Sequence, residues 1–129
     1  MKVLFDTNVL IAALLSNGNC YEIVQSAVNA HEVFYTQYIL KEFHHNFRTK
    51  FKFSASIIKD MTVFIEKHFQ LGVAGKNIPA CCRDKDDNHI LADAEANGID
   101  VIITGDKDLL VLKQYKGIKI ISPKEYWLL

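Results

Sequence analysis

The stretch CRDKDDNHILADAEANGIDVIITGDKDLL, Cys82 to Leu110, decides the fold class. From Asp86 to Asn97 apolar residues recur at helical spacing, and Gly98 supplies an ordinary C-terminal stop. Val101 to Thr104 (VIIT) reads as a strand buried on both faces, because no polar residue alternates along Val101, Ile102 and Ile103. The turn Thr104-Gly105-Asp106 leads into a short helix, Lys107 to Leu112. A helix feeding an apolar strand that feeds a further helix is the repeating unit of an α/β protein.

The rest of the chain carries the same alternation. Toward the N-terminus, Lys2 to Phe5 (KVLF) is a short apolar strand ending at Asp6, followed by helical character from Asn8 to Leu15. A polar break at Ser16, Asn17, Gly18 and Asn19 precedes a helix over Tyr21 to Ala30. Glu32 to Thr36 (EVFYT) is rich in β-branched and aromatic residues and reads as a strand. Helices are expected over Tyr38 to Phe47 and Ser54 to Phe69, then a short strand around Leu71 to Ala74 or Ile78. Ile118 to Ile121 is a last strand, with a terminal turn or helix starting at Ser122 and Pro123. Strands separated by helices imply a mostly parallel sheet covered on both faces, a three-layer α/β/α sandwich.

Composition bounds the rest. The chain has 129 residues, half of them hydrophobic, which fits one domain with a substantial core. Fifteen basic and fifteen acidic residues cancel, which excludes a polyanion-binding tail and an acidic disordered chain. The charges are segregated, however. Lys41 to Lys59 has five basic residues against Glu42, whereas Asp84 to Asp108 has eight acids against Lys85 and Lys107. Cys20, Cys81 and Cys82 form neither a disulfide framework nor a zinc spacing, so reduced thiols and a cytoplasmic protein are expected. Asp6 and Asn8 interrupt any signal-peptide core, so the protein is expected to begin at Met1. The longest apolar run there, Val9 to Leu15, is far below the roughly 18 residues of a membrane span, and no membrane partner is expected.

Four acids fall where such a fold puts chemistry. Asp6 closes the first strand and Asp106 follows the VIIT strand, and the carboxyl ends of parallel strands meet in one crevice. Asp87 continues the stripe of Ile90, Leu91 and Ala94 toward the sheet, in a first helical turn whose dipole would help keep it ionised. Asp86 lies on a more polar line and reads as a helix cap. Glu42 sits at the edge of its helix's apolar line. Carboxylates that converge repel one another unless a cation lies among them, and oxygen ligands suit Mg²⁺ or Mn²⁺ rather than zinc. An Asp after a strand is also a common cap, but four so placed are harder to explain that way.

These residues carry a family resemblance. The segments DTNVLIAALLSNG (Asp6 to Gly18), YILKEFHHNFRTKF (Tyr38 to Phe51), Cys82 to Leu110 and IISPKEYW (Ile120 to Trp127) resemble PIN-domain proteins. The branch is that of toxin components of toxin-antitoxin systems, similar to VapC-like ribonucleases. The resemblance implies a five-stranded mostly parallel sheet, homodimers, an antitoxin partner, and metal-dependent cleavage of single-stranded RNA. It implies Asp6, Glu42, Asp87 and Asp106 as catalytic residues, with Asp6, Asp87 and Asp106 holding Mg²⁺ or Mn²⁺. Asn8, Thr104, Asp86 and Asp108 are supporting residues in the same comparison. Lys85 departs from the branch, which often has proline there, and leaves Asp86 and Asp87 as alternatives for the main ligand.

Beside the acids, Arg48, Lys50 and Lys52 alternate with Phe47, Phe51 and Phe53. Cations among aromatic rings suit RNA, whose phosphates and bases they contact. The competing reading puts Phe47 and Phe51 in the core and leaves the charges to solvate a loop. His44, His45 and His89 read as surface or capping residues. The leading function is therefore a metal-dependent endoribonuclease, the toxin of a type II toxin-antitoxin pair. An RNA-processing PIN nuclease without an antitoxin and a non-catalytic binding module are the alternatives. A phosphatase of the haloacid-dehalogenase kind fits poorly, because Asn8 stands where its second aspartate is needed.

Overall fold

The computed structural model describes residues 1–15, 18–51 and 53–129, with Phe51 by its backbone alone; Ser16, Asn17 and Lys52 lie outside it. Six strands form one sheet: β1 (Lys2–Phe5), β2 (Glu32–Tyr35), β3 (Gln70–Leu71), β4 (Val101–Ile103), β5 (Gln114–Tyr115) and β6 (Ile118–Ile121), in the spatial order β3-β2-β1-β4-β6-β5. All neighbours run parallel except β5 and β6. Val3, Leu4, Phe5, Val101, Ile102 and Ile103 are all buried, so helices cover the central strands on both sides, as an unalternating apolar strand requires.

The sheet has six strands, against the five expected. The additional one, β5, is an edge strand of two residues. It returns into β6 through Lys116 and Gly117, both with positive φ (48° and 81°), the geometry of a two-residue hairpin turn of type I′. Lys-Gly is a weaker signal for that turn than Asn-Gly, and two residues show no alternation. The strand anticipated near Leu71 to Ala74 begins at Gln70, directly after the long helix before it, and pairs with β2.

The helices are α1 (Thr7–Leu15), α2 (Asn19–Ala30), α3 (Gln37–Asn46), α4 (Ala55–His68), α5 (Lys85–Ala96) and α6 (Lys107–Leu110), with a 3₁₀ helix at Pro123–Leu128. A π-helical turn, Phe47–Phe51, extends α3. Phe47 is fully buried and meets the rings of Phe43 and Phe53, so Phe47 belongs to the core. Trp127 packs edge-on to Tyr126, and its indole N–H donates to Asn19 Oδ1 at 3.3 Å, which ties the C-terminus to the start of α2. Among the described residues no helix is long and apolar enough to cross a membrane.

Between β3 and α5 the chain is irregular, and polar side chains of α5 fasten it. Asn97 accepts from the Val73 N–H and donates to its carbonyl, both at 2.8 Å. Asn88 does the same for Cys82, at 2.9 and 3.1 Å. Asp93, buried, accepts from Gly75 N–H at 2.8 Å and from the Thr36 hydroxyl at 2.6 Å, while Thr36 caps α3 through Ile39 N–H. A Cβ on Gly75 would stand 2.4 Å from the Ala92 carbonyl oxygen, so only glycine lets the segment lie this close to α5. One carboxylate thus joins the β3–α5 segment, α5 and the entrance to α3. Replacing Asp93 by Ala strands a buried hydroxyl and a backbone N–H, and is expected to lower unfolding stability in urea by about 2 kcal/mol or more. A variant as stable as the wild type would contradict this role.

Candidate functional site

The sheet order puts β2 and β4 on opposite sides of β1, so the chain reverses direction across the sheet at the β1/β4 boundary. A crevice opens at such a boundary, outside the carboxyl ends of the strands. The register pairs Phe5 with Ile103, so the residues that follow them, Asp6 and Thr104, are neighbours. Asp6 N–H still donates to Ile103 carbonyl at 2.9 Å, and the Thr104 hydroxyl donates to Asp6 Oδ2 at 2.7 Å. The same hydroxyl accepts from Asp106 N–H at 3.0 Å. Thr104, fully buried, is therefore a clasp between two acids. Asp106 caps α6, its Oδ1 accepting from Asp108 N–H at 2.9 Å.

α5 supplies the next acids. Its N-cap is Asp84, whose side chain accepts from Asp86 N–H at 2.9 Å; Asp86, expected to be the cap, lies instead in the first turn. Its carboxylate takes the Tyr38 hydroxyl proton donor and faces Glu42 on α3. The Tyr38 ring stacks on His89, with centroids 4.4 Å apart. Asp87 points inward, 3 % exposed, and its Oδ2 is buried with no hydrogen-bond partner among the described residues. One oxygen each from Asp87, Asp106 and Asp108 lie within 4.8 Å of one another. Asp108 therefore joins the closest group, with Arg83 held against it from the exposed rim at 2.9 Å.

A polar cleft of about 110 Å³ is lined by six acids, Asp6, Glu42, Asp84, Asp86, Asp87 and Asp106. The four acids singled out in the sequence thus share one cavity. Burial pushes the Asp87 carboxyl up to about 7, helped by Asp106, Asp84 and Asp6. The dipole of α5 was expected to keep it ionised, but desolvation and like charge outweigh that smaller effect. Glu42 is likewise pushed up to about 7, by burial and then by Asp86, Asp84 and Asp6. Asp6 is raised by burial, with Thr104 and the Thr7 N–H pulling the other way. Asp84 and buried Asn46 also line the cleft and were missed in the sequence; Asp84 had a signal, its place two residues before the acid pair.

Of the cations anticipated for RNA, Lys50 lines the acid cleft together with Glu42 and Asn46, at four-residue steps along α3 and its π extension. Arg48, offset from Lys50 by two residues and so turned toward the other side of the helix, lines a separate cleft of about 490 Å³ with His44, Phe53 and Lys59. Lys52 lies outside the described residues. Asn8 is exposed at the mouth of the acid cleft.

A donor set made wholly of oxygens, with an orphaned buried carboxylate oxygen among them, fits a hard divalent cation. The sequence profile described as PIN domain matches residues 2–108. The chain belongs to the PIN-domain family. Two solved structures share its fold: VapBC2 from Rickettsia felis, bound to a DNA fragment from their promoter, and PAE2754 from Pyrobaculum aerophilum. The first has a TM-score of 0.68 at 13% identity, over 95% of this chain and 98% of that one. The second has a TM-score of 0.64 at 14% identity, over 99% of this chain and 88% of that one. No curated relative matches this PIN domain in sequence.

Raised carboxyl pKa values make a stability prediction. Asp87 and Glu42 titrate near 7 folded, against ordinary values of 3.8 and 4.5, so the folded state binds the extra protons and loses stability as pH rises from about 4 through 7. The metal-free melting temperature is expected to fall between pH 5 and pH 8. Asp87→Asn is expected to raise it at pH 8 and to weaken the stabilisation that Mn²⁺ gives the wild type. A metal-free melting temperature that climbs across this interval would contradict the reading.

Proposed function

We propose that this PIN domain is a divalent-metal-dependent endoribonuclease that cleaves single-stranded RNA, the toxin of a type II toxin-antitoxin pair. The observation that carries the reading is the group Asp87, Asp106 and Asp108, whose carboxylate oxygens lie within 4.8 Å of one another, together with a buried Asp87 oxygen that has no hydrogen-bond partner among the described residues. A cation among those carboxylates would relieve both the repulsion and the orphaned oxygen. Family membership supports nuclease chemistry, and the toxin setting rests on the resemblance and on the fold shared with VapBC2 of Rickettsia felis. The choice of RNA rests on the resemblance and on the basic segment next to the acids.

The chain's own residues divide the work. Asp87, Asp106 and Asp108 would hold Mg²⁺ or Mn²⁺, with Asp6 beside them in the orientation Thr104 fixes. When bound, such an ion supplies charge neutralisation at phosphorus and a lowered pKa for water. Lys50, the cation that lines the acid cleft among the described residues, pairs with a non-bridging phosphate oxygen. Glu42 as carboxylate orients the attacking water and takes its proton. Attack in line forms the bond from the water oxygen to phosphorus and breaks the bond to the 3′ oxygen, which takes a proton from solvent as it leaves, giving a 3′ hydroxyl and a 5′ phosphate.

Asp6→Asn and Asp106→Asn are each expected to lower kcat on a single-stranded RNA by roughly 100-fold or more in Mg²⁺. An Asp6→Asn protein cutting at the wild-type rate would sink the proposal. Lys50→Ala is expected to raise KM and to reduce the slope of log affinity against log salt by about one, whereas Arg48→Ala, on the far side of α3, is expected to do less. Equal effects of the two substitutions would show that the strand does not follow the Lys50 side.

A further inference from the structure

The acid cleft, at about 110 Å³, is lined by carboxyl, amide and hydroxyl groups with Ile90 among them, and so suits an ion, water and a phosphoryl group rather than the apolar face of a nucleobase. Beside it lies a second cleft of about 340 Å³, of a size that holds one nucleoside and near the lower end for small-ligand sites. The two are joined, because Asn8 and Asp106 line both. The second cleft is built quite differently. Its sides are Ala12 of α1, Cys20 of α2 and Pro123 at the start of the 3₁₀ helix, and among the described residues no lysine or arginine lines it. Gly105 opens one side, since no atom stands within 4 Å of where its Cβ would be.

We propose that this cleft is a base subsite, which takes one of the two nucleobases flanking the scissile phosphate while Lys50 holds the backbone on the other side of the acids. The proposal rests on the nuclease reading above. Apolar walls suit the faces of an aromatic ring, the Asn8 amide offers both a donor and an acceptor to a base edge, and the lack of a cation disfavours a phosphate there. A base can enter only when it is turned out of a stack. The subsite therefore gives a physical reason for preferring single strands, and the site's base preference resides in Asn8 and its neighbours.

The test uses an RNA oligonucleotide whose cleavage position has been mapped, and two versions in which one or the other flanking nucleotide is abasic. For the wild type, one abasic version is expected to show a KM roughly tenfold higher or more. Ala12→Phe, which adds a ring from an exposed position of α1, is expected to impose a similar loss on the full oligonucleotide and no further loss on that abasic version. As a second measurement, the RNA is expected to slow alkylation of Cys20 by N-ethylmaleimide in the Asp6→Asn protein, read by mass spectrometry of that peptide. If Ala12→Phe cuts all three substrates as the wild type does, or the RNA leaves Cys20 labelling unchanged, the base subsite is overturned while the nuclease reading stands. If the wild type cuts none of them, both fall.

Discussion

The pairing of β1 with β4, Phe5 beside Ile103, is the constraint on which the site depends. It makes Asp6 and Thr104 neighbours at the carboxyl ends of two parallel strands, and the Thr104 hydroxyl then links Asp6 to the backbone of Asp106. A slip of one residue would turn every side chain of the strand to the other face and separate the pair. Apolar side chains buried on both faces of both strands hold that register, so the ordinary core of the protein fixes the position of its acids to within a hydrogen bond. Asp106 in turn caps α6 and receives Asp108, which brings the third oxygen into the group.

Concentrating six carboxyl groups in so small a cleft works against folding, and the protein limits the cost by local means. Thr104 donates to Asp6, Tyr38 to Asp86, and Asp84 and Asp106 each accept a backbone N–H as helix caps. Glu42 and Asp87 hold their protons to near neutral pH rather than ionise unaided. What these devices leave unsatisfied is Asp87 Oδ2, and a site that is incomplete in this way is suited to a cation.

Much of this was legible in the sequence, for reasons that differ between elements. VIIT and KVLF announce buried parallel strands because continuous apolar runs have no other economical place, and the acids that follow them then fall in one crevice. The hairpin strand β5 was not legible, since it has two residues and its turn uses Lys116 rather than a residue that favours positive φ. Asp87 was read as facing the sheet and is buried there, but the sequence does not show how many carboxyl groups from distant elements share its cleft, and these with burial push its pKa up. Arg48 and Lys50 look equivalent along the chain, yet a two-residue offset on a helix sends them to opposite sides. Asp93 and Gly75, which join the irregular segment to α5, depend on contacts between distant parts of the chain that no local pattern announces.

The central claim is that the buried carboxyls carry protons which a divalent cation displaces. Calorimetric titration of the protein with Mn²⁺ at pH 6.5, repeated in two buffers of different ionisation enthalpy, measures it directly. The account predicts that the apparent binding enthalpy differs between the buffers by an amount equal to the release of about one proton or more per ion bound, and that Asp87→Asn reduces this release. Binding with the same enthalpy in both buffers, or no binding at all, would contradict it.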